Sequence, residues 1–410
     1  MAGLTLVAGL VCAGLARAEL PQPPEPLRRA LERIVRSGGV AVALDGAVEW
    51  AYRPGAYVPA SILKLATALT ALDILGADYR FRTDILRGAS GELILRGHGD
   101  PQLVSEEWRA IAEELAAQGA FAAPFRDVIV DDSAVPGDPE VDGRVDSLNP
   151  YDARLGALVS NFNTVNVNVG PDGTVTAAEP QTPLTPLAIE LARGLAPGVQ
   201  RINLSLDPAH GARYSGELAR AIFREAGARI EGAVRKGVAP RESALLLMHR
   251  SRHRLRETVA GMMEFSNNFM ANQLLLTLAL EKHGPPARLE QGTAIVRTHL
   301  IETLGLAPDS FTLVEGSGLS RNNRIDLLAM LRIADAFHPW ADLLQPYGRA
   351  PLDAPVKTGT LMGISTLAGF LPTPNGSRRT FVILLEQPRK DRDAVFRELM
   401  RVYGGGPGGN

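Results

Sequence analysis

Two residues near the start of the chain, Ser61 and Lys64, could together carry out acyl transfer. They lie three positions apart at the beginning of an apolar run that ends at Gly76, and this spacing places two side chains on one face of a helix. A serine in the first helical turn could attack a carbonyl carbon while its own backbone N–H, which has no intrahelical acceptor, binds the oxyanion. The lysine could accept the serine proton. The alternative is that Ser61 only caps the helix and Lys64 is solvated, because patterns of four residues recur by chance.

A second motif, Ser266-Asn267-Asn268, could bring other groups that this chemistry needs. It separates two apolar helical segments, so it either caps the second helix or lines a cleft. Serine acyl transfer without a histidine requires a nucleophile, a base, a proton route to the leaving group and an oxyanion hole. The Ser266 hydroxyl could relay the proton, and Asn268 could bind a substrate amide.

The third motif, Lys357-Thr358-Gly359, leads through Thr360 into a strand-like segment. An edge strand of this kind allows an extended peptide to pair with it as a further strand. Gly359 would let that peptide approach closely, because glycine has no side chain. Lys357 and Thr360 suit the negatively charged carboxylate at the end of a peptide.

Lysine is scarce in this chain, which has five lysines against 38 arginines. Each lysine is therefore a candidate for a role that arginine cannot fill, since a lysine can lose its proton near neutral pH when its pKa is lowered. Two of the five, Lys64 and Lys357, fall within the motifs. We expect the like charge of Lys357 to help keep Lys64 neutral enough to act as a base.

Taken in this order, the three motifs resemble the set shared by penicillin-binding proteins and serine β-lactamases. The chain is most similar to the class C low-molecular-mass penicillin-binding proteins, which are D-Ala-D-Ala carboxypeptidases/endopeptidases interrupted by a large insert. The long separation of Ser61 from Ser266 distinguishes it from class A β-lactamases. Four further segments carry the resemblance: Gly97-His98-Gly99-Asp100-Pro101, Asp131-Asp132-Ser133, Asn161-Phe162-Asn163 and Glu315-Gly316-Ser317-Gly318-Leu319-Ser320-Arg321.

The resemblance implies a catalytic role for the first two motifs. Ser61 would be the acylated nucleophile and Lys64 its base, while Ser266 and Asn268 would line the cleft.

For the third motif, the resemblance implies substrate binding. Lys357 and Thr358 would orient the substrate beside Gly359, and Thr360 would contribute to carboxylate binding. The backbone N–H groups of Ser61 and Thr360 would form the oxyanion hole. The substrates would be peptidoglycan stem peptides ending in D-Ala, β-lactam antibiotics would be covalent inhibitors, and no cofactor is implied.

The implied fold class is α+β, a transpeptidase/β-lactamase-like domain in which helices flank a five-stranded antiparallel sheet whose outer strand carries Lys357 to Thr360. We divide this domain into a first part, residues 19–77, and a second part, residues 249–403. An inserted α/β region of one or two subdomains occupies residues 78–248, and residues 404–410 form a flexible tail.

Two hairpins are predicted for the sheet of this domain. Val40–Leu44 and Val48–Tyr52 flank Asp45-Gly46, a strong hairpin signal. Thr366–Leu371 and Thr380–Leu385 flank a turn-rich segment and predict the second hairpin.

The first 18 residues are predicted to be a signal peptide. An apolar core is followed by Ala16-Arg17-Ala18, an A-x-A cleavage pattern, although no Lys or Arg precedes the core. The single cysteine, Cys12, falls inside this leader. No later stretch reaches the roughly 18 apolar residues that a membrane span needs. We therefore expect an exported, periplasmic protein without a stable membrane span.

Charge and ligand patterns argue against several other classes of function. The net charge of −2 leaves no basic excess to neutralise the phosphates of a nucleic acid. The acid-rich segment 131–146 does not match the spacing of an EF-hand, so a solvated loop is favoured over a calcium site. His249 and His253 are crowded by arginines, so no metal site is predicted there either.

Two alternative functions remain open from the sequence. The first is a β-lactamase or esterase on the same scaffold. The second is a non-catalytic protein that binds muropeptides. The lysine at position 64 argues against the second alternative, because a binding protein so rich in arginine would tolerate arginine there.

Overall fold

The computed structural model describes residues 20–137, 139–145, 147, 150–349, 352–373 and 376–404. The predicted signal peptide lies outside the described residues, and so does the predicted tail apart from Gly404. The α-helices of the described chain are α1 (Glu25–Ile34), α2 (Lys64–Leu75), α3 (Ser105–Ala117), α4 (Pro186–Ala192), α5 (Pro208–Glu225), α6 (Leu255–Glu264), α7 (Asn268–His283), α8 (Leu289–Leu304), α9 (Leu327–Ala336) and α10 (Arg392–Tyr403). The strands are β1 (Gly38–Leu44), β2 (Ala47–Tyr52), β3 (Ala56–Tyr57), β4 (Arg80–Arg87), β5 (Leu93–Gly97), β6 (Val128–Asp131), β7 (Thr164–Val169), β8 (Val175–Ala177), β9 (Gly198–Asn203), β10 (Val234–Lys236), β11 (Ala244–Arg254), β12 (Phe311–Thr312), β13 (Arg324–Asp326), β14 (Gln345–Arg349), β15 (Leu352–Leu361), β16 (Ile364–Leu371) and β17 (Arg379–Glu386).

The largest sheet joins the two ends of the described chain. Its antiparallel strands follow the order β14-β15-β16-β17-β1-β2, so β1, the first described strand, pairs with β17, the last described one. β1 and β17 pair from Gly38 opposite Leu385 to Leu44 opposite Arg379. Both predicted hairpins are present, as β1–β2 and β16–β17. β16 is buried along its whole length, as a central strand with helices on both faces must be.

Within the described residues, this sheet has six strands rather than the five that the resemblance implied. The additional strand is β14, which pairs with β15 only from Leu352 to Val356. Its sequence, QPYGR, contains a proline and a glycine and shows no apolar alternation, so it does not read as a strand. Proline is tolerated at a sheet edge because it need not donate to a ladder there. Lys357 to Leu361 therefore extend past β14, with β16 as their partner among the described strands.

Helices cover both faces of this sheet. On one face, α9 contacts β1 and β17, and α2, α6, α7 and α8 join it around the largest apolar core. On the other face, α1 and α10 pack against each other and bury Leu27, Leu31, Phe396 and Leu399 against the sheet. This arrangement follows from the apolar stripes of the helices, which are removed from water only when they face the sheet.

The segment from β4 to β11, which covers nearly all of the predicted insert, forms two further sheets. One has the order β10-β6-β5-β4-β11 in the described chain, with β5, β6 and β10 parallel to one another. The other is β8-β7-β9. Both bury apolar side chains in a common core together with α3, α4 and α5. Because β4 and β11 pair, the chain leaves the transpeptidase-like domain and returns to it at neighbouring strands.

Strand β11 continues to Arg254, beyond the predicted end of the insert at residue 248. The extension is polar, and the inward-facing His249 is only 1% exposed. Its ring lies 2.9 Å from a carboxylate oxygen of Glu107, which is also buried. Ion pairing takes the place of apolar packing here, so apolar alternation could not reveal the strand.

Candidate active site

Ser61 lies in a 3-10 turn, Ala60–Leu63, that runs directly into α2. The sequence predicted the first turn of an α-helix, and the structure differs because Ala60 has a left-handed backbone with φ of +48°. Such a conformation costs a non-glycine residue about 1–2 kcal/mol, so the surrounding structure must hold it. The Thr366 hydroxyl does so from β16, donating a hydrogen bond to the Pro59 carbonyl oxygen at 2.8 Å.

Gly318 packs against this turn from the other side. A β-carbon at Gly318 would lie 1.9 Å from the carbonyl oxygen of Ala60, a distance that no real side chain could accept. Its φ of +82° also belongs to the left-handed region that favours glycine. The turn that carries Ser61 is therefore clamped between β16 and the polar loop that contains Gly318.

Lys64 is fully buried, and its side-chain nitrogen makes three hydrogen bonds. Lys64 Nζ lies 3.1 Å from Ser61 Oγ and 2.7 Å from both Asn268 Oδ1 and the carbonyl oxygen of Ser317. Burial, and then the like charge of Lys357, hold the pKa of Lys64 well below its usual range, although the Glu315 carboxylate opposes them. Lys64 is thus not the solvated side chain of the simpler interpretation. Its neutral form can accept the Ser61 proton.

The motif Ser266-Asn267-Asn268 both caps a helix and faces the cleft. Asn267 Oδ1 accepts a hydrogen bond from the backbone N–H of Met270 at 3.0 Å, which caps α7. Asn268 faces the other way and binds Lys64. Ser266 has a left-handed backbone with φ of +51°, and its hydroxyl accepts a hydrogen bond from Lys357 Nζ at 2.9 Å. Both interpretations of this motif therefore hold, each for different residues.

Lys357 is the second buried lysine of the site and is 2% exposed. Burial, followed by the charge of Arg392, lowers the pKa of Lys357 to about 8. Below that pH the ammonium group is charged, so it can bind a carboxylate and hold the Ser266 hydroxyl. The two lysines thus have different neighbours, and burial lowers the pKa of each.

Gly359 brings β15 against the nucleophile. A β-carbon at this position would lie 2.2 Å from Thr366 Oγ1 and 2.9 Å from the backbone nitrogen of Ser61. Thr358 is half-buried opposite Leu367, and Thr360 is exposed and lines the same cleft as Ser61. The structure therefore brings the eight residues predicted for the site onto adjoining elements, while their catalytic roles remain predictions.

Two residues that sequence reasoning left without a role support the site. The buried Glu315 carboxylate accepts hydrogen bonds from Ser317 Oγ at 2.6 Å and from the Gly318 N–H and Asn323 Nδ2, each at 2.7 Å. It thereby shapes the loop whose Ser317 carbonyl binds Lys64. Glu315 could have been suspected as the one acidic residue of a glycine-rich polar loop.

Arg392 is the other supporting residue, and it begins α10. Its guanidinium donates hydrogen bonds to the Gly359 carbonyl oxygen at 2.6 Å and to the Thr360 hydroxyl at 2.8 Å. No sequence signal indicated this role, because Arg392 is one of many arginines and lies well beyond the third motif.

These residues open onto a cleft of about 820 Å³. The insert supplies part of its wall, because Phe162 lines the cleft and stacks edge-on against Phe269 of α7 with ring centroids 6.3 Å apart. The described residues that line the cleft are Ser61, Gln102, Tyr151, Phe162, Arg201, Gly261, Phe265, Ser266, Asn267, Asn268, Met270, Leu319, Thr360 and Leu361.

Among the described residues, no group of three or more His, Cys, Asp or Glu side chains could hold a metal ion. This includes the described part of segment 131–146 and the pair His249 and His253. His249 instead contacts Glu107 and Glu114, at 2.9 and 3.0 Å. Asp131 accepts hydrogen bonds from the Ser133 hydroxyl and backbone. No described helix is long and apolar enough to cross a membrane.

Comparison with known proteins places this architecture in a family. The sequence matches the D-Ala-D-Ala carboxypeptidase 3 (S13) family over residues 30–193 and 186–346, and the chain belongs to that family. It is 31% identical to a D-alanyl-D-alanine carboxypeptidase of Actinomadura sp. (strain R39), over 85% of this chain and 77% of that protein.

Solved structures share the fold. The crystal structure of penicillin binding protein 4 from Haemophilus influenzae superposes with a TM-score of 0.71 at 21% identity, covering 91% of this chain and 97% of that one. A penicillin G-acylated predatory endopeptidase of Bdellovibrio bacteriovorus, in complex with an immunity protein, has a TM-score of 0.51 at 16% identity and covers 90% of each chain. The predicted class C penicillin-binding protein family and its α+β transpeptidase-like fold with an insert are confirmed.

Proposed function

We propose that this protein is a serine D-alanyl-D-alanine carboxypeptidase/endopeptidase that cleaves peptidoglycan stem peptides through an acyl-enzyme and is itself acylated by penicillin. The observation that carries the proposal is the buried Lys64 amine, 3.1 Å from Ser61 Oγ and held at a lowered pKa. Family membership supports the same reaction class, and the 31% identical relative is a D-alanyl-D-alanine carboxypeptidase.

Acylation begins with proton transfer from Ser61 Oγ to the neutral Lys64 amine as Ser61 Oγ attacks the carbonyl carbon of the scissile amide. The backbone N–H groups of Ser61 and Thr360 bind the oxygen that becomes negatively charged. The amide C–N bond then breaks, and the Lys64 ammonium returns the proton, through the Ser266 hydroxyl, to the leaving amine. Water hydrolyses the resulting Ser61 ester, which releases the shortened peptide and restores the serine.

The free half of β15 orients the substrate in this proposal. Lys357 to Leu361 lie beyond the reach of β14, so an extended peptide can pair with their backbone groups as a further strand. Thr360 and the charged Lys357 then bind the carboxylate of the C-terminal D-Ala, and Thr358 helps to orient the substrate. Asn268 binds a backbone amide of the peptide and keeps Lys64 in place at 2.7 Å.

We also propose that the protein acts after export, in the periplasm. The A-x-A pattern at Ala16-Arg17-Ala18 supports this, and so does a substrate that lies outside the cytoplasm. A tagged chain expressed from its own start codon tests it by cell fractionation and N-terminal sequencing. Mature protein beginning at Glu19 in the periplasmic fraction is the expected result, and uncleaved cytoplasmic protein would contradict it.

A fluorescent penicillin tests the catalytic proposal. The purified wild-type protein should become covalently labelled, mass mapping should locate the label on Ser61, and the folded Ser61→Ala variant should remain unlabelled. Failure of the folded wild-type protein to label would overturn the proposal, and rapid turnover of nitrocefin without stable labelling would indicate a β-lactamase instead.

Digestion of purified sacculi then separates the two peptidase activities. Loss of one alanine from pentapeptides, measured by mass analysis, identifies a carboxypeptidase. Loss of cross-linked dimers identifies an endopeptidase. A labelled protein that yields neither product would show that the cleft binds β-lactams without acting on peptidoglycan.

A further inference from the structure

The wall of the active-site cleft carries one formally charged side chain among its described lining residues, Arg201. Arg201 belongs to β9 of the insert and is exposed. The catalytic lysines, by contrast, are buried beneath the cleft. The one charged side chain among the described lining residues is therefore positive, which favours an anionic ligand beside it.

The register of the small sheet explains why Arg201 faces outward. Val165 and Val167 of β7 and Ile202 of β9 are buried in the apolar core of the insert. Because neighbouring residues of a strand point to opposite faces, Arg201 and its cross-strand partner Asn166 lie on the other face. Arg201 lines the cleft from that face of the sheet.

Arg201 has no carboxylate within ion-pairing distance among the described residues. The side-chain hydrogen bond described for Arg201 is a long one, 3.5 Å to the Thr164 hydroxyl. Asn166, the cross-strand partner of Arg201, donates a hydrogen bond from Nδ2 to the Glu179 carboxylate at 2.9 Å. Arg213 of the same insert differs, because it pairs with two carboxylates.

An exposed arginine without an acidic partner, on the wall of a substrate cleft, is suited to bidentate recognition of a carboxylate. The carboxylate of the C-terminal D-Ala already has partners on β15, at Lys357 and Thr360. Arg201 lies on a separate element of the insert, so it would meet a different part of the substrate.

We propose that Arg201 forms an anion subsite in the insert, which binds a carboxylate of the stem peptide other than that of its C-terminal D-Ala. This inference rests on the proposed function. A stem peptide carries two such groups, the α-carboxylate of its γ-linked glutamate and the free carboxylate of meso-diaminopimelate. The insert thereby selects stem peptides with an ionised carboxylate over their amidated forms.

The test compares wild-type protein with Arg201→Ala, Arg201→Lys and the matched control Arg193→Ala. Arg193 is exposed at the end of α4 in the same insert and is not among the described lining residues of the cleft. The substrates are a synthetic stem pentapeptide with both carboxylates free, and two versions in which one or the other is amidated. D-Ala release gives KM and kcat, and thermal melting confirms that each variant is folded.

Wild-type protein and Arg193→Ala should both prefer the free pentapeptide over one amidated version by about 10-fold or more in KM, as expected for a charge-assisted hydrogen bond. Arg201→Ala should lose that preference, and Arg201→Lys should restore part of it. The amidated version that weakens wild-type binding identifies which carboxylate Arg201 meets.

Equal preference ratios for wild-type protein and folded Arg201→Ala would overturn the inference. The same holds if Arg193→Ala loses the preference as fully as Arg201→Ala, since the effect would then be one of overall charge. Labelling of wild-type Ser61 by penicillin separates the two proposals. A labelled, active protein without carboxylate preference refutes the subsite alone, and an unlabelled protein refutes the proposed function.

Discussion

The guanidinium of Arg392 donates a hydrogen bond to the Thr360 hydroxyl at 2.8 Å. The last described helix, α10, thereby fixes the strand on which the substrate carboxylate is expected to bind. The same guanidinium acts on Lys357 through its charge, which adds to burial in lowering the pKa of that lysine to about 8. One residue outside the three motifs therefore influences both the geometry and the titration of the site.

Replacing Arg392 by alanine should change the pH dependence of acylation. Lys357 is charged below pH 8 and loses its proton above it, so the wild-type rate should fall as the pH rises through about 8. Removing a neighbouring positive charge raises the pKa of Lys357, so the alkaline limb should move to higher pH in Arg392→Ala. The maximal rate should fall by about 10-fold, because Thr360 loses a charge-assisted hydrogen bond.

Stopped-flow measurement of penicillin acylation between pH 6 and about 10 follows this limb. Arg401→Ala is the control, since Arg401 lies on the same helix in an exposed ion pair with Glu398. An alkaline limb that stays in place, or moves to lower pH, in Arg392→Ala would show that Arg392 does not act on Lys357.

Lys64→Arg should fold but fail to acylate. The guanidinium keeps its proton at every accessible pH, so it cannot accept the proton of Ser61, and the acylation rate should fall by about 100-fold or more. Lys64→Met tests the same role without a buried charge. Circular dichroism verifies folding, and the rate of incorporation of a fluorescent penicillin measures the effect.

Lys282→Arg serves as the control for this pair of variants, because Lys282 is exposed in the last turn of α7. It should acylate at the wild-type rate. A folded Lys64→Arg that acylates at a rate close to wild type would refute the assignment of Lys64 as the base.

Gly318→Ala should disturb the nucleophile more than the fold. A β-carbon there would lie 1.9 Å from the Ala60 carbonyl oxygen, so the turn that carries Ser61 must shift. Gly173→Ala is the matched control: its φ of +81° is close to the +82° of Gly318, yet no atom lies within 4 Å of its β-carbon position. Both changes pay about 1 kcal/mol for the left-handed backbone.

Thermal melting and penicillin acylation distinguish the two glycine variants. Gly173→Ala should lose a few degrees in Tm and keep its acylation rate, whereas Gly318→Ala should lose at least about 10-fold in rate. Equal acylation by both variants would mean that the contact with Ala60 does not position Ser61.

The sequence allowed the three motifs to be recognised because their residues are close together in the chain, and the hairpin β16–β17 because its apolar pattern is strong. β14 could not be recognised, since pairing at an edge depends on the strand beside it rather than on its own residues. The polar end of β11 was missed for a related reason: His249 is buried through ion pairs that no local pattern encodes.

Arg392 and Arg201 come to the site only through tertiary structure, Arg392 behind β15 and Arg201 on the cleft wall. Arg392 lies on a helix packed against the sheet, and Arg201 lies on a strand of the insert, so neither shares a local spacing with Ser61. In a chain with 38 arginines, residue type alone could not single them out. The scarcity of lysine had the opposite effect and directed attention to both buried lysines.

The short reach of β14 bears on how resistance to inhibitors could arise. Because β14 pairs only as far as Val356, the outer edge of the next residues has no strand partner in the described chain and can pair with a ligand. A compound that imitates an extended peptide would bind backbone groups that every amino acid except proline carries, so other side-chain substitutions in this strand leave its main-chain partners in place. Side chains of the cleft wall such as Phe162 and Arg201 lie outside the eight residues predicted for the site, so substitution there is one route to escape that leaves those eight residues in place.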